Sequence, residues 1–182
     1  SGTIDSTNYF TLDEDGNLTG KTMNKGDKLV WQEGIYHPGA DVWIINSENK
    51  LLIQKRSSQK KFAPNVWAMT GGSIMRGETA LETLKRETME ELGIELDVQQ
   101  AIKIKRYKTG NVWLDEYIVR QDIDLEKVIL QEDEVTEVKF ATFDEIEKLF
   151  QDNLFISNRW EYVKDEIREY LLKNVGIDFE KS

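Results

Sequence analysis

The sequence contains no cysteine, one histidine and two prolines in 182 residues. Without cysteine there is no disulfide, no thiolate metal site and no cysteine nucleophile. The lack of disulfides fits a reducing, cytoplasmic setting. A single histidine, His37, cannot build a histidine cluster. Positive charge is also scarce, with 24 Lys and Arg against 34 Asp and Glu and a formal net charge of −10. Such a chain lacks the general basic surface that a nucleic acid polymer requires. A small anionic ligand stays open if local cations or a metal offset the field. No apolar run approaches the ~20 residues of a membrane span, so no membrane association is expected. The polar opening Ser1-Gly2-Thr3 does not resemble a signal peptide. The length suits one domain with a core of its own.

The residues that are present give a mixed order of elements. YFTLDEDGNLTGKT (9–22) carries two strand-like runs around Asp15-Gly16-Asn17, a hairpin pattern. Residues 23–40 read as irregular up to the turn signal Tyr36-His37-Pro38-Gly39. ADVWIIN (40–46) reads as a strand covered on both faces, followed by a second strand, KLLIQKR (50–56). SSQKKFAPN (57–65) is a polar loop, and VWAMT (66–70) a short strand running into Gly71-Gly72. A helix is expected over 79–92, with Thr79 and Glu82 as a capping box and Gly93 as its stop. A second hairpin spans 101–119 around Thr109-Gly110-Asn111, and a further strand covers 137–143. Helices are expected at 144–150 and 159–172. The last carries an apolar stripe of Trp160, Val163, Ile167, Tyr170 and Leu171 and is capped by Ser157. This order argues an α/β or α+β sandwich.

On the 79–92 helix, Leu81, Leu84, Thr88 and Leu92 form the expected core stripe. Glu87, Glu90 and Glu91 fall on another side, within roughly a 100° arc. Each like-charge pair at i, i+3 or i, i+4 costs about 0.2–0.5 kcal/mol in an isolated helix. Two readings stand: a solvated acidic face, or a site for a hard divalent cation such as Mg²⁺, which prefers carboxylate and phosphate oxygens. Arg86 lies four residues from both Glu82 and Glu90 and is placed to bridge carboxylates. The Gly71-Gly72 pair points to positive φ or to a close backbone approach.

Taken together, Gly72-x5-Glu78-x7-Arg86-Glu87-Thr88-Met89-Glu90-Glu91-Leu92-Gly93-Ile94 resembles the Nudix box. The one departure is Thr88, where that family has an apolar residue; its hydroxyl can bond back to the Leu84 carbonyl. The resemblance implies an α/β/α sandwich with a mixed sheet and a loop-helix-loop metal site. It implies Glu87, Glu90 and Glu91 as ligands of Mg²⁺ or Mn²⁺, Glu78 as an accessory glutamate and Arg86 as the residue that steadies a ligand. It implies hydrolysis of a diphosphate in a small, nucleoside-diphosphate-like compound, with Glu91 as first candidate for the base and Glu116 and Glu134 behind it. The domain expected is 36–182, preceded by a hairpin extension over 1–35. The hairpin or the last helix offers a surface for a homodimer.

The flanking segments GIYHPGADVWIIN and LLIQKRSSQKKFAPNVWAMTGG are similar to isopentenyl-diphosphate isomerases and the Nudix hydrolases near them. That likeness implies Arg56 and Lys60 as diphosphate ligands. It also sets His37 at a metal-histidine position and Tyr107 and Glu116 at active-site positions. The isomerase's cysteine falls near Gly71, a metal histidine near Ser73, and a metal glutamate at Leu114. The carbon-chemistry parts are absent, while the box is full. Isomerisation and a non-catalytic ligand-sensing domain remain the alternatives to hydrolysis. Trp31, Trp43, Trp67 and Trp113 are either core or stacking platforms for a base.

Overall fold

A computed structural model describes residues 8–24 and 34–181, with side chains for 10–23 and 34–174. Trp31 lies outside the described residues. The first two strands, β1 (Asn8–Leu12) and β2 (Leu18–Asn24), pair antiparallel as the expected hairpin. Gly16 turns it at φ +81°, and the Asp13 carboxylate accepts from the amides of Asp15 and Asn17. The main body follows as β3 (His37–Ile45), β4 (Leu51–Arg56), β5 (Trp67–Ala68), β6 (Thr70–Ser73), α1 (Ala80–Leu92), β7 (Ile102–Thr109) and β8 (Val112–Arg120). It ends with β9 (Val135–Ala141), α2 (Phe143–Gln151) and α3 (Trp160–Lys181).

The sheet runs β5-β4-β3-β8-β7, with β9 on β4 and β6 on β3. It is mixed, because β3 and β8 are parallel while the other pairs are antiparallel. Period-two alternation along β3 sends Ala40, Val42 and Ile44 to one face and Trp43 and Ile45 to the other. The first set packs with Leu84 and Leu92 of α1; the second packs with Ile146 of α2 and Trp160, Val163, Ile167 and Leu171 of α3. These are the three layers of an α/β/α sandwich, and β3 is covered on both sides because a core lies on each.

One edge of β3 changes partner along its length. It meets β4 at Ile45↔Leu51, and β6 at Gly39↔Ser73 through Val42↔Thr70. The sheet therefore opens along that edge, and Gly71 and Gly72 sit beside the opening. Neither has positive φ. They continue a strand rather than make a turn, and the reason for glycine is close approach. A Cβ on Gly71 would fall 2.0 Å from Asp41 Oδ1 and 2.6 Å from the Ala40 carbonyl oxygen.

Helix α1 is bounded as expected. Thr79 and Glu82 make the reciprocal capping box, and Gly93 closes the helix at φ +66°. Its buried face is Thr83, Leu84, Thr88 and Leu92, so Thr83 is buried where Leu81 was expected. Thr88 Oγ1 donates to the Leu84 carbonyl at 2.7 Å, which satisfies the hydroxyl inside the core. Helix α3 begins at Trp160, after Asn158 at φ +62°, so Ser157 lies too far upstream to cap it. The N-terminal hairpin is clamped to the β7–β8 hairpin: Trp113 Nε1 donates to the Asp13 carbonyl at 2.9 Å, and Arg106 Nη2 to the Gly16 carbonyl at 3.2 Å.

Candidate active site

Arg86, midway along α1, organises the glutamates around it. Its guanidinium grips Glu78 with two bonds, Nε to Oε2 at 2.7 Å and Nη2 to Oε1 at 2.9 Å. Its Nη1 donates to Glu87 Oε1 at 2.8 Å and reaches Glu90 Oε2 at 3.5 Å. Glu82, expected as a partner of Arg86, is instead spent on the capping box. The Glu78 side chain is only 1% exposed. It also accepts from Thr83 Oγ1 and the Met75 amide, which explains why Thr83 is buried. Burial alone would raise the Glu78 pKa; the bonds from Arg86, Thr83 and Met75 outweigh it and hold the carboxyl below its ordinary value.

Glu91 lies at the other extreme. Burial is the main cause, and with repulsion and a shared hydrogen bond from Glu87 it pushes the carboxyl up to about 8, against a lowering bond from Gln54. Gln54 Nε2 donates to Glu91 Oε2 at 2.6 Å, while Thr70 Oγ1 donates to Gln54 Oε1 at 3.0 Å. The Thr70 bond fixes which way the amide points, and the amide fixes one oxygen of Glu91. Glu90 is more exposed, its side chain 53% accessible, and turns toward Arg86. Among the described residues no three His, Asp or Glu side chains are gathered into a ready-made cation site. The structure brings Glu87 and Glu91 together and leaves Glu90 on the rim.

Two cavities of about 430 and 370 Å³ share Gln54, Arg56, Gly71, Gly72, Ser73 and Glu91, and so form one cleft. The smaller holds Glu87, Glu90, Lys60 and Glu134; the larger extends to His37, Asn111 and Arg159. Lys60 is ion-paired with Glu134. Arg56 faces the cleft but also donates to the carbonyls of Phe62 and Ala63. Burial lowers the imidazole pKa of His37.

Tyr107 and Glu116 meet on neighbouring strands, Tyr107 donating to Glu116 Oε2 at 2.9 Å. Trp43 Nε1 donates to Oε1 at 2.9 Å, and Glu116 is fully buried. Burial first, then the adjacent Asp41 carboxylate, pushes the Glu116 pKa well above the ordinary range. Asp41 is registered opposite Glu116 and paired with Arg159 at 2.8 Å. Sequence reasoning missed Gln54, Asp41 and Arg159. Asp41 stands as a charged residue at the head of the apolar run of β3, a legible signal, whereas Gln54 opens the polar end of β4 and does not stand out. Arg159 gave none, because only the fold brings it to Asp41. Trp43 is core, and neither Trp67 nor Trp113 lines the cleft.

The NUDIX domain family matches residues 35–160. The chain belongs to the Nudix family. A Nudix hydrolase of Listeria monocytogenes is 36% identical over 80% of this chain and 85% of its own length. An isopentenyl-diphosphate Delta-isomerase of Serratia proteamaculans is 29% identical over 49% of each chain. The crystal structure of DR0079 from Deinococcus radiodurans superposes with a TM-score of 0.73 at 21% identity, covering 87% of this chain and 98% of that one. This Nudix protein is thus placed among hydrolases acting on diphosphate bonds, and its mixed sheet and helices are those of the family. Among the described residues no helix is long and apolar enough to cross a membrane.

Proposed function

We propose that this Nudix protein is a Mg²⁺- or Mn²⁺-dependent pyrophosphohydrolase that cleaves a diphosphate linkage in a small, nucleoside-diphosphate-like substrate. The observation that carries this is the Glu87–Glu91 pair. Both carboxyls line the smaller cavity with Glu90, Arg56 and Lys60, and burial first, then Glu87 beside it, pushes Glu91 up to about 8. Hard oxygen donors in a cleft that also holds Arg56 and Lys60 suit Mg²⁺ or Mn²⁺ with a phosphate group. Glu87, Glu90 and Glu91 would hold the ion, which supplies charge neutralisation and an acidified water. Arg86, anchored by Glu78, sets the direction of Glu87. Arg56 and Lys60 receive the diphosphate. Glu91 accepts the proton at Oε1, the oxygen that Gln54 leaves open. Glu116 lies too deep for that role, and Glu134 serves as the counter-ion of Lys60, which exchanges it for the diphosphate.

Isomerisation finds little support. The chain has no cysteine, and the space beside Gly71 is filled by the Asp41 carboxylate. A sensing domain gains nothing from a full set of glutamates. The decisive experiment is a phosphate-release screen over nucleotide sugars, nucleoside di- and triphosphates, dinucleotides and prenyl diphosphates, with Mg²⁺ or Mn²⁺. No release with either metal from any compound would overturn the proposal.

Gly72 gives a second check. A Cβ there would sit 2.7 Å from Cδ and Oε1 of Glu87. Gly72→Ala should turn that carboxylate away and weaken Mn²⁺ binding about tenfold or more, with the melting temperature nearly unchanged. Electron paramagnetic resonance of free Mn²⁺ reads the affinity; wild-type binding would remove Glu87 from the site.

The pH dependence of stability follows from Glu91. Its folded pKa is about 8 against an ordinary value of 4.5. Between those values the native state holds a proton that the unfolded chain has lost, so stability falls as pH rises through that window. The metal-free protein should lose roughly 5 °C in melting temperature from pH 5.5 to 8.5, and Mg²⁺ should restore most of it at pH 8.5. A flat metal-free profile would contradict the burial and repulsion assigned to Glu91.

A further inference from the structure

The loop between β4 and β5 holds a phenyl ring where burial would not put it. Phe62 lines the larger cavity and is 62% exposed. Other large apolar side chains are as exposed, Leu18 and Ile129 among them; Phe62 differs in lining the cleft, where a ligand that covers the ring would gain from about 1.5–3 kcal/mol of burial. The loop is latched. Arg56 donates from Nε to the carbonyls of Phe62 and Ala63, at 3.2 and 3.1 Å, and from Nη2 to that of Phe62 at 2.9 Å. Its guanidinium lies 5.8 Å from the Phe62 ring centroid. Ala63 takes φ +47°, a conformation that residues with a Cβ rarely adopt. A non-glycine residue persists there only when its surroundings hold it, and such strain gathers at binding sites.

Arg56 also lines the smaller cavity with Glu87, Glu91 and Lys60. One side chain thus faces the proposed diphosphate site and fixes the position of the ring. Around the larger cavity, Asn111, Ser157, Asn158 and Arg159 present polar groups. Arg159 is paired with Asp41 at 2.8 Å, yet it still lines the cavity beside Asn111, Ser157 and Asn158, so a heteroaromatic ring meets a polar wall with its edge and Phe62 with its face, whereas an aliphatic chain gains nothing from that wall. The volume of about 430 Å³ lies within the range of small-molecule sites.

We propose that Phe62 is the stacking platform for a planar heteroaromatic group on the non-phosphate side of the substrate, with Arg56 setting its distance from the diphosphate. The inference rests on the pyrophosphohydrolase reading and adds the residue that selects the substrate. Base-on-aromatic stacking is lost on alanine substitution, with a tenfold or larger fall in affinity.

The test compares wild type with Phe62→Ala, Phe62→Leu and Phe62→Trp in the presence of Mg²⁺. The substrates are the nucleoside diphosphate derivatives that the wild type cleaves, and pentyl diphosphate as a non-planar comparison. Alanine and leucine should raise KM for the nucleotides about tenfold or more, with kcat within about twofold, and tryptophan should restore it. KM for pentyl diphosphate should not move. Equal KM values in all variants, or an equal rise for both kinds of substrate, would overturn the proposal and leave the hydrolase reading standing. Saturation-transfer NMR with the four nucleoside monophosphates, without metal, separates the two claims. Transfer to base protons that disappears in Phe62→Ala supports the platform even if no diphosphate is cleaved; no transfer in wild type sinks it.

Discussion

Glu91→Gln is expected to lower turnover by about 10²-fold or more while the fold survives. The substitution keeps the shape of the side chain and removes its charge. Gln54 can still be accommodated beside it, but neither a proton acceptor nor an anionic metal ligand remains at this position. The substitution also removes the repulsion from Glu87 that helps push Glu91 up to about 8. The metal-free variant should therefore melt higher than wild type at pH 8.5, although it is the poorer enzyme. Loss of rate with gain of metal-free stability distinguishes a functional carboxylate from a structural one. Steady-state kinetics with Mg²⁺ and thermal melts with chelator read the two effects. Unchanged turnover would remove Glu91 from the chemistry.

Gly71→Ala is expected to cost about 3 kcal/mol and to lower the melting temperature by roughly 10 °C. The added Cβ meets a carboxylate at 2.0 Å and a backbone oxygen at 2.6 Å. The carboxylate cannot simply swing aside, because Asp41 is 2% exposed and paired with Arg159. Leaving that pair would strand a buried guanidinium, which is costlier than the clash alone. The backbone oxygen belongs to Ala40, fully buried in the middle of β3. Calorimetry reads the change directly. A shift below about 2 °C would show that β6 can move away from β3 at little cost.

Much of this could be read from the chain because it is local. The capping box of Thr79 and Glu82, the stop at Gly93 and the two hairpin turns depend on neighbours a few residues away. The box is a contiguous pattern, so the positions of Glu78, Arg86, Glu87, Glu90 and Glu91 came with it. What was not legible depends on contacts distant in sequence. Spacing along α1 offered Glu82 and Glu90 as partners of Arg86. The loop fold brings Glu78 closer and wins, because it presents both oxygens to the guanidinium. Gly71-Gly72 suggested a turn or a close approach, and only the register with β3 decides between them. Arg56 was expected as a phosphate ligand alone, since nothing in SSQKKFAPN shows that its carbonyls would fold back on that side chain. Phe62 carries no signal for the same reason: a single phenylalanine in a polar loop looks incidental until the loop is latched.

The Asp41–Arg159 pair has a consequence for how the chain is made. During synthesis β3 leaves the ribosome with a carboxylate destined for the interior well before its counter-ion, Arg159, has been made. Until then the central strand cannot be sealed without stranding a charge, so final closure waits for the segment that leads into α3. Nascent chains halted before residue 159 should remain open to protease, however complete their sheet.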